Sequence, residues 1–73
     1  MMKKIKKIKI KVNGKFKSIY ENFKISDLVK DLKISIKKVA IELNQEIIDK
    51  KKISKITLKK DDKMEIVHFI GGG

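Results

Sequence analysis

The sequence predicts an α+β domain in which one short helix packs on one face of a mixed sheet of four to five strands. Three observations carry this. The run Ile8-Lys9-Ile10-Lys11-Val12 alternates apolar and polar residues, the period of a half-buried strand. One short stretch, with Leu28, Val29 and Leu32, has helical spacing instead. A final apolar run, Met64 to Ile70, follows a tight charged turn. The predicted order is β-β-α-β-β-β, and a single helix over a sheet gives a two-layer domain.

Each element has its own local reason. The first strand meets Asn13-Gly14, a strong hairpin signal because both positions of a type I′ turn need positive φ. Lys15 to Tyr20 is the returning strand, and Glu21 to Ile25 a connection. Ser26 is expected to cap the helix, with Asp27 in a first turn where negative charge suits the dipole. The helix is expected over residues 27–33, with Lys30 and Lys33 off its apolar face and Ile34 to Lys37 leading out. Val39-Ala40-Ile41-Glu42-Leu43 reads as the third strand, closed by Asn44-Gln45, and Ile47-Ile48 as a short fourth. Asp49 to Lys52 is a charged loop. Ile53, Ile56 and Leu58 are core plugs from an irregular stretch. Lys60-Asp61-Asp62-Lys63 turns the chain into the last strand.

This order is the pattern of the β-grasp fold, with the last strand central and parallel to the first, reached by a long crossover that contains the helix. Parity then assigns its faces. Glu65 must face water, so Val67 and Phe69 share the open face, while Met64, Ile66 and Ile70 face the helix and His68 shares their side near the rim. A two-residue first turn sets Lys11 opposite Phe16 and Val12 opposite Lys15, which puts Phe16 on the open face unless a bulge reverses it. Exposed apolar residues beside the chain's last residues suit a docking patch. They also occur singly on ordinary surfaces. Pattern alone leaves both readings standing.

Composition excludes several function classes. The 73 residues make one small domain, which buries only about 60% of the surface its unfolded chain exposes and leaves little room for an enclosed substrate cleft. No cysteine supplies a disulfide or a thiol nucleophile, and one histidine cannot build a metal cluster. No apolar run reaches the length of a membrane span. Lysines interrupt any signal-peptide core, so the cytoplasm is the expected compartment. Asp27 with Asp31, and Asp61 with Asp62, are more simply solvated or turn carboxylates than acid/base pairs. The net charge of +11 raises nucleic acid as a partner. Yet all twenty basic residues are lysine, without the guanidinium fork that reads bases and phosphates, and only Phe16, Tyr20, Phe23 and Phe69 are available for stacking. Fourteen isoleucines accompany the lysines, a joint excess that fits codon bias rather than a selected binding site.

Gly71-Gly72-Gly73 has no folding rationale after a strand, because glycine loses the most entropy on ordering and buries no side chain. Three or four extended residues reach roughly 10–13 Å beyond a fold. A stem without Cβ atoms can thread a narrow cleft and present the Gly73 carboxylate as a chemical handle, whereas three glycines taken alone fit a frayed chain end better, and the rest of the chain shifts that weighting. The domain is therefore expected over residues 1–70, with 71–73 a flexible tail.

The Asn13-Gly14 hairpin, Ser26-Asp27-Leu28-Val29, the stretch Val39 to Ile48 and the ending Glu65-Ile66-Val67-His68-Phe69-Ile70-Gly71-Gly72-Gly73 together resemble the ThiS sulfur carriers of thiamin biosynthesis, a ubiquitin-like β-grasp family. The resemblance runs from about Lys9 onward. Two departures stand out: the lysine-rich lead Met1 to Lys7 is longer than usual, and Asp62 occupies a turn position where the family commonly has glycine. The resemblance implies a carrier rather than an enzyme. A ThiF-like adenylating enzyme would activate Gly73 with MgATP, no cofactor being bound by the carrier itself. A sulfur donor would convert the acyl-adenylate to a thiocarboxylate, and a ThiG-like thiazole synthase would receive the sulfur. Gly71 and Gly72 would allow passage, and Val67 and Phe69 would meet the partner. The related MoaD-type molybdopterin carrier is the alternative within the fold. A small basic nucleic-acid-binding module is the alternative from another class.

Overall fold

The hairpin that opens the fold is set by its turn. In this computed structural model, which describes residues 6–69, strand β1 (Lys7–Val12) pairs antiparallel with β2 (Lys15–Tyr20), Val12 opposite Lys15 and Lys11 opposite Phe16. Asn13 and Gly14 take φ values of 51° and 81°, the type I′ geometry that matches strand twist. No bulge intervenes in this register, so Phe16 lies on the open face as parity predicts.

The helix differs from expectation at its start. Helix α1 spans Ile25–Asp31 and its N-cap is Lys24, not Ser26, which lies inside the first turn. The physical reason is Asp27. Its carboxylate accepts the Lys24 N–H at 2.9 Å, so the third helical residue reaches back to satisfy the cap backbone. Ile25 is fully buried at the first helical position, which draws the start two residues upstream. At the other end Leu32 is the C-cap and Lys33 takes φ 57°, so the helix stops before the expected residue 33. The exit stretch contains a one-turn 3₁₀ helix at Ile36–Lys38, and the charged loop another at Lys50–Lys52. In the second, the Asp49 carboxylate accepts the Lys51 N–H at 2.9 Å.

Strand β3 (Val39–Leu43) has the expected bounds. Strand β4 is Glu46–Ile47 rather than Ile47-Ile48, because Asn44 and Gln45 form a second two-residue turn (φ 51° and 71°) that sets Leu43 opposite Glu46. Strand β5 is Lys63–His68, starting one residue before Met64, and Ile70 lies outside the described residues. The five strands are ordered β2-β1-β5-β3-β4, with β5 parallel to β1 and antiparallel to β3. This is the ubiquitin-like β-grasp arrangement, with the last strand central.

One face of the sheet and one side of the helix make the core. Ile10, Ile19, Val39, Ile41, Met64 and Ile66 come from the strands, and Ile25, Leu28 and Val29 from α1. Leu58 is buried as expected, while Ile53 and Ile56 pack partly buried against the cluster. Fully burying one such side chain is worth about 1.5–3 kcal/mol. The final turn is held by Asp62, whose carboxylate accepts the Lys59 N–H at 2.7 Å and the Asn44 side-chain amide at 3.0 Å. Positive φ falls on Asp61 (69°), so position 62 has no conformational need for glycine.

Candidate functional site

The site is the open side of β5 and the backbone that fixes it. Alternation along Lys63–His68 buries Met64 and Ile66 under the helix and leaves Glu65 and Val67 exposed. Phe69 continues the same parity one residue past the strand. Val67 is 51% exposed and Phe69 58%. Both predicted contact residues therefore lie on one open face. His68 pairs with Val39 and is exposed at the rim, where parity places it.

Neighbouring strands extend the face. Ala40 lies opposite Val67 and Glu42 opposite Glu65, while Ile47, 80% exposed, lies opposite Glu42. On the β1–β2 side Phe16 is also exposed, with the Lys9 and Lys11 ammonium groups 5.4 and 5.0 Å from its ring centroid. The open face thus has an apolar part with two carboxylates on β5, β3 and β4, and a lysine–aromatic part on β1 and β2.

The strand approaching the tail is clasped from both sides. Asn13 donates its backbone N–H to the Met64 carbonyl at 2.9 Å, and its side-chain oxygen accepts the Ile66 N–H at 2.7 Å. Asn44 does the equivalent on the other side: its N–H donates to the Lys63 carbonyl at 2.7 Å, and its side-chain oxygen accepts the Lys63 N–H at 2.9 Å. The regular β1–β5 register covers only Lys11 with Lys63 and Val12 with Met64, so Asn13 prolongs that side of the ladder with its side chain. Toward β3 the pairing continues past the strand, where Phe69 donates its N–H to the Lys38 carbonyl at 3.0 Å. Sequence reading found both asparagine turns and missed these clasps. The signal available was asparagine itself, which among turn formers also carries a side-chain acceptor.

Lys50 completes the surroundings of Phe69, its ammonium 5.1 Å from the ring centroid. The expected site residues Gly71, Gly72 and Gly73 lie outside the described residues. Among the described residues no group of histidine, cysteine or carboxylate side chains is arranged to hold a metal ion, and no helix is long and apolar enough to cross a membrane.

Comparison with known proteins adds a family relation. The sequence model of the ThiS family matches residues 6–73. The chain is 43% identical over 49 residues to the sulfur carrier protein ThiS of Bacillus subtilis, covering 67% of this chain and 74% of that protein. It is 35% identical over 66 residues to a thiazole synthase of Paramagnetospirillum magneticum, covering 90% of this chain and 20% of that protein. The chain thus spans about a fifth of the thiazole synthases it matches. The crystal structure of the thiamine biosynthesis protein ThiS from Geobacter metallireducens superposes with a TM-score of 0.80 at 30% identity, over 90% of this chain and 100% of that one.

Proposed function

The chain belongs to the ThiS family, and from that premise we propose that it is a sulfur carrier of thiamin biosynthesis whose reacting group is the Gly73 carboxylate. The observation that supports this most directly is the placement of β5. The strand leading to the glycines is central, clasped by Asn13 and Asn44, and shows Val67 and Phe69 to solvent on one face. A rigid base with an apolar contact surface beside it suits a tail that another protein must find and hold.

The chemistry needs little from the carrier beyond that placement. A carboxylate is a poor acyl donor. In a ThiF-like adenylating enzyme a Gly73 carboxylate oxygen attacks the α-phosphorus of MgATP. The α–β phosphoanhydride bond breaks and pyrophosphate leaves. A sulfide equivalent from a donor system then attacks the acyl carbon, a C–S bond forms and AMP leaves, giving the thiocarboxylate. Gly71 and Gly72 keep the stem narrow. The carrier acts as a co-substrate in the cytoplasm, and the nucleotide belongs to the partner. A ThiG-like thiazole synthase is the expected recipient. In its support, thiazole synthases such as that of P. magneticum hold a stretch similar to this chain within one polypeptide.

The test is the intact mass of the protein after incubation with an adenylating enzyme of the same genome, MgATP and a sulfide source. The expected product carries one oxygen-to-sulfur exchange at the C-terminus. Deletion of Gly72-Gly73 should abolish both this product and ATP–pyrophosphate exchange while leaving the melting curve unchanged. Exchange at the normal rate by the truncated protein would refute Gly73 as the reacting residue.

A further inference from the structure

We propose that lysines from the two 3₁₀ turns beside Phe69 form a basic collar that docks on a carboxylate-rimmed protein surface, that of the enzyme which activates the tail. The inference rests on the carrier reading and goes beyond it by giving the partner's surface a charge and a location. Two segments distant in sequence meet at one residue. The Ile36–Lys38 turn supplies the Lys38 carbonyl that accepts the Phe69 N–H at 3.0 Å. The Lys50–Lys52 turn supplies the Lys50 ammonium, 5.1 Å from the Phe69 ring. Lys37, Lys38, Lys50, Lys51 and Lys52 are all exposed. Through Lys38 and Lys50 both lysine-bearing turns reach Phe69, directly after β5.

Among the described residues the two turns and their caps hold one carboxylate, Asp49, against these five lysines. Its carboxylate accepts the Lys51 N–H at 2.9 Å and offsets one of the five charges, so the two turns stay net positive. The salt bridge found among the described residues, Lys17 with Asp31 at 3.8 Å, involves none of the five. Like charges on neighbouring turns repel one another over about one Debye length, roughly 8 Å at physiological ionic strength. A carboxylate-bearing surface relieves that repulsion on docking. Phe69 and Val67 supply the apolar centre that such an interface needs, and the lysines supply a polar rim that steers approach. Nucleic acid is disfavoured as the occupant, because the collar holds no arginine and Phe69 is already faced by Lys50.

The experiment compares two variants of equal net charge. One is Lys37→Glu/Lys38→Glu/Lys50→Glu. The other is Lys15→Glu/Lys30→Glu/Lys60→Glu, at exposed positions outside both turns. ATP–pyrophosphate exchange is measured with an adenylating enzyme of the same genome while carrier concentration and salt are varied. The collar variant should raise the carrier KM about tenfold or more with kcat nearly kept, and should flatten its salt dependence. The control variant should stay within about threefold of wild type, since its charges are off the docking face. Thermal melts monitor folding, and if the triple Glu variant unfolds, the Lys→Gln triple at the same positions replaces it. Equal losses in both variants, or none in the collar variant, would overturn the collar alone. A wild-type protein that supports no exchange would overturn the carrier reading and the collar with it. A fluorescein-labelled duplex oligonucleotide bound tightly at physiological salt, and lost in the collar variant, would reassign the collar to nucleic acid.

Discussion

The same strands show two unlike faces. Toward the helix, Ile10, Ile41 and Met64 are each 1% exposed, packed with Leu28 from α1. Toward solvent, Phe16, Ile47, Val67 and Phe69 remain more than half exposed beside glutamates and lysines. Both faces are apolar in part, so hydrophobicity alone does not separate them. Packing does. On the covered side each side chain is constrained by neighbours on the helix and across the sheet. On the open side the apolar residues have room for a partner. Stability and recognition are therefore carried by alternate residues of one strand, and substitutions on β5 should separate them by parity.

The largest expected effect on stability lies under the helix. Leu28→Ala removes a fully buried side chain between helix and sheet. Such truncations cost about 2–5 kcal/mol through lost burial and the residual cavity. In a small domain, where total stability is about 5–15 kcal/mol, that is a large share. Urea unfolding should show a much lower midpoint at an unchanged slope. A shift below about 0.5 kcal/mol, the range of ordinary surface changes, would break the assignment of Leu28 to the core.

An intermediate effect is expected at the clasp. Asn13→Gly keeps the positive φ that the turn requires and removes only the side-chain acceptor of the Ile66 N–H. Leaving that part-buried donor unpaired costs about 1–3 kcal/mol. The specific readout is amide hydrogen exchange. The Ile66 amide should lose protection beyond the global loss of stability, and the Phe69 amide, bonded to Lys38 from the other side, should follow only the global change. An Ile66 amide as protected as in the wild type would show that water or another group replaces Asn13.

How much of this was legible in the sequence depends on the range of the interaction involved. The first hairpin register and the faces of β5 follow from a two-residue turn and period-two alternation, both local, and both agree with the structure. The helix start was misplaced because Ser26 carries the usual capping signal, whereas burial of Ile25 and the back-reaching Asp27 carboxylate decide the matter. The fourth strand slipped by one residue because the turn at Asn44-Gln45 fixes pairing directly from Glu46. The clasps by Asn13 and Asn44 were out of reach for a different reason. Asn13 and Ile66 are 53 positions apart, and only the crossover topology brings them together. The meeting of Lys38 and Lys50 at Phe69 depends on topology in the same way.

The smallest expected effect on stability, and the sharpest test of the two faces, is Phe69→Asp. Phe69 is 58% exposed, so its removal forfeits less than half of a phenylalanine's burial, about 1 kcal/mol. It loses the contact with the Lys50 ammonium, worth about 0.5–1 kcal/mol at an exposed site. The new carboxylate can pair with the same lysine, an exposed ion pair worth about 0–1 kcal/mol, which offsets the loss. The melting curve should therefore fall only modestly below that of the wild type. Docking should respond differently, because a carboxylate placed at the apolar centre of an interface is stripped of water without a partner arranged for it. Calorimetric titration against the adenylating enzyme should show affinity reduced by about tenfold or more, a loss of at least 1.4 kcal/mol. Ile66→Asp, three residues away on the covered face, should do the reverse and unfold the domain, because a charge there is buried against the helix. If Phe69→Asp melts as Ile66→Asp does, the open face is structural and the division of β5 by parity fails. If it folds and still binds normally, recognition lies away from Phe69, and the partner reads the carrier elsewhere.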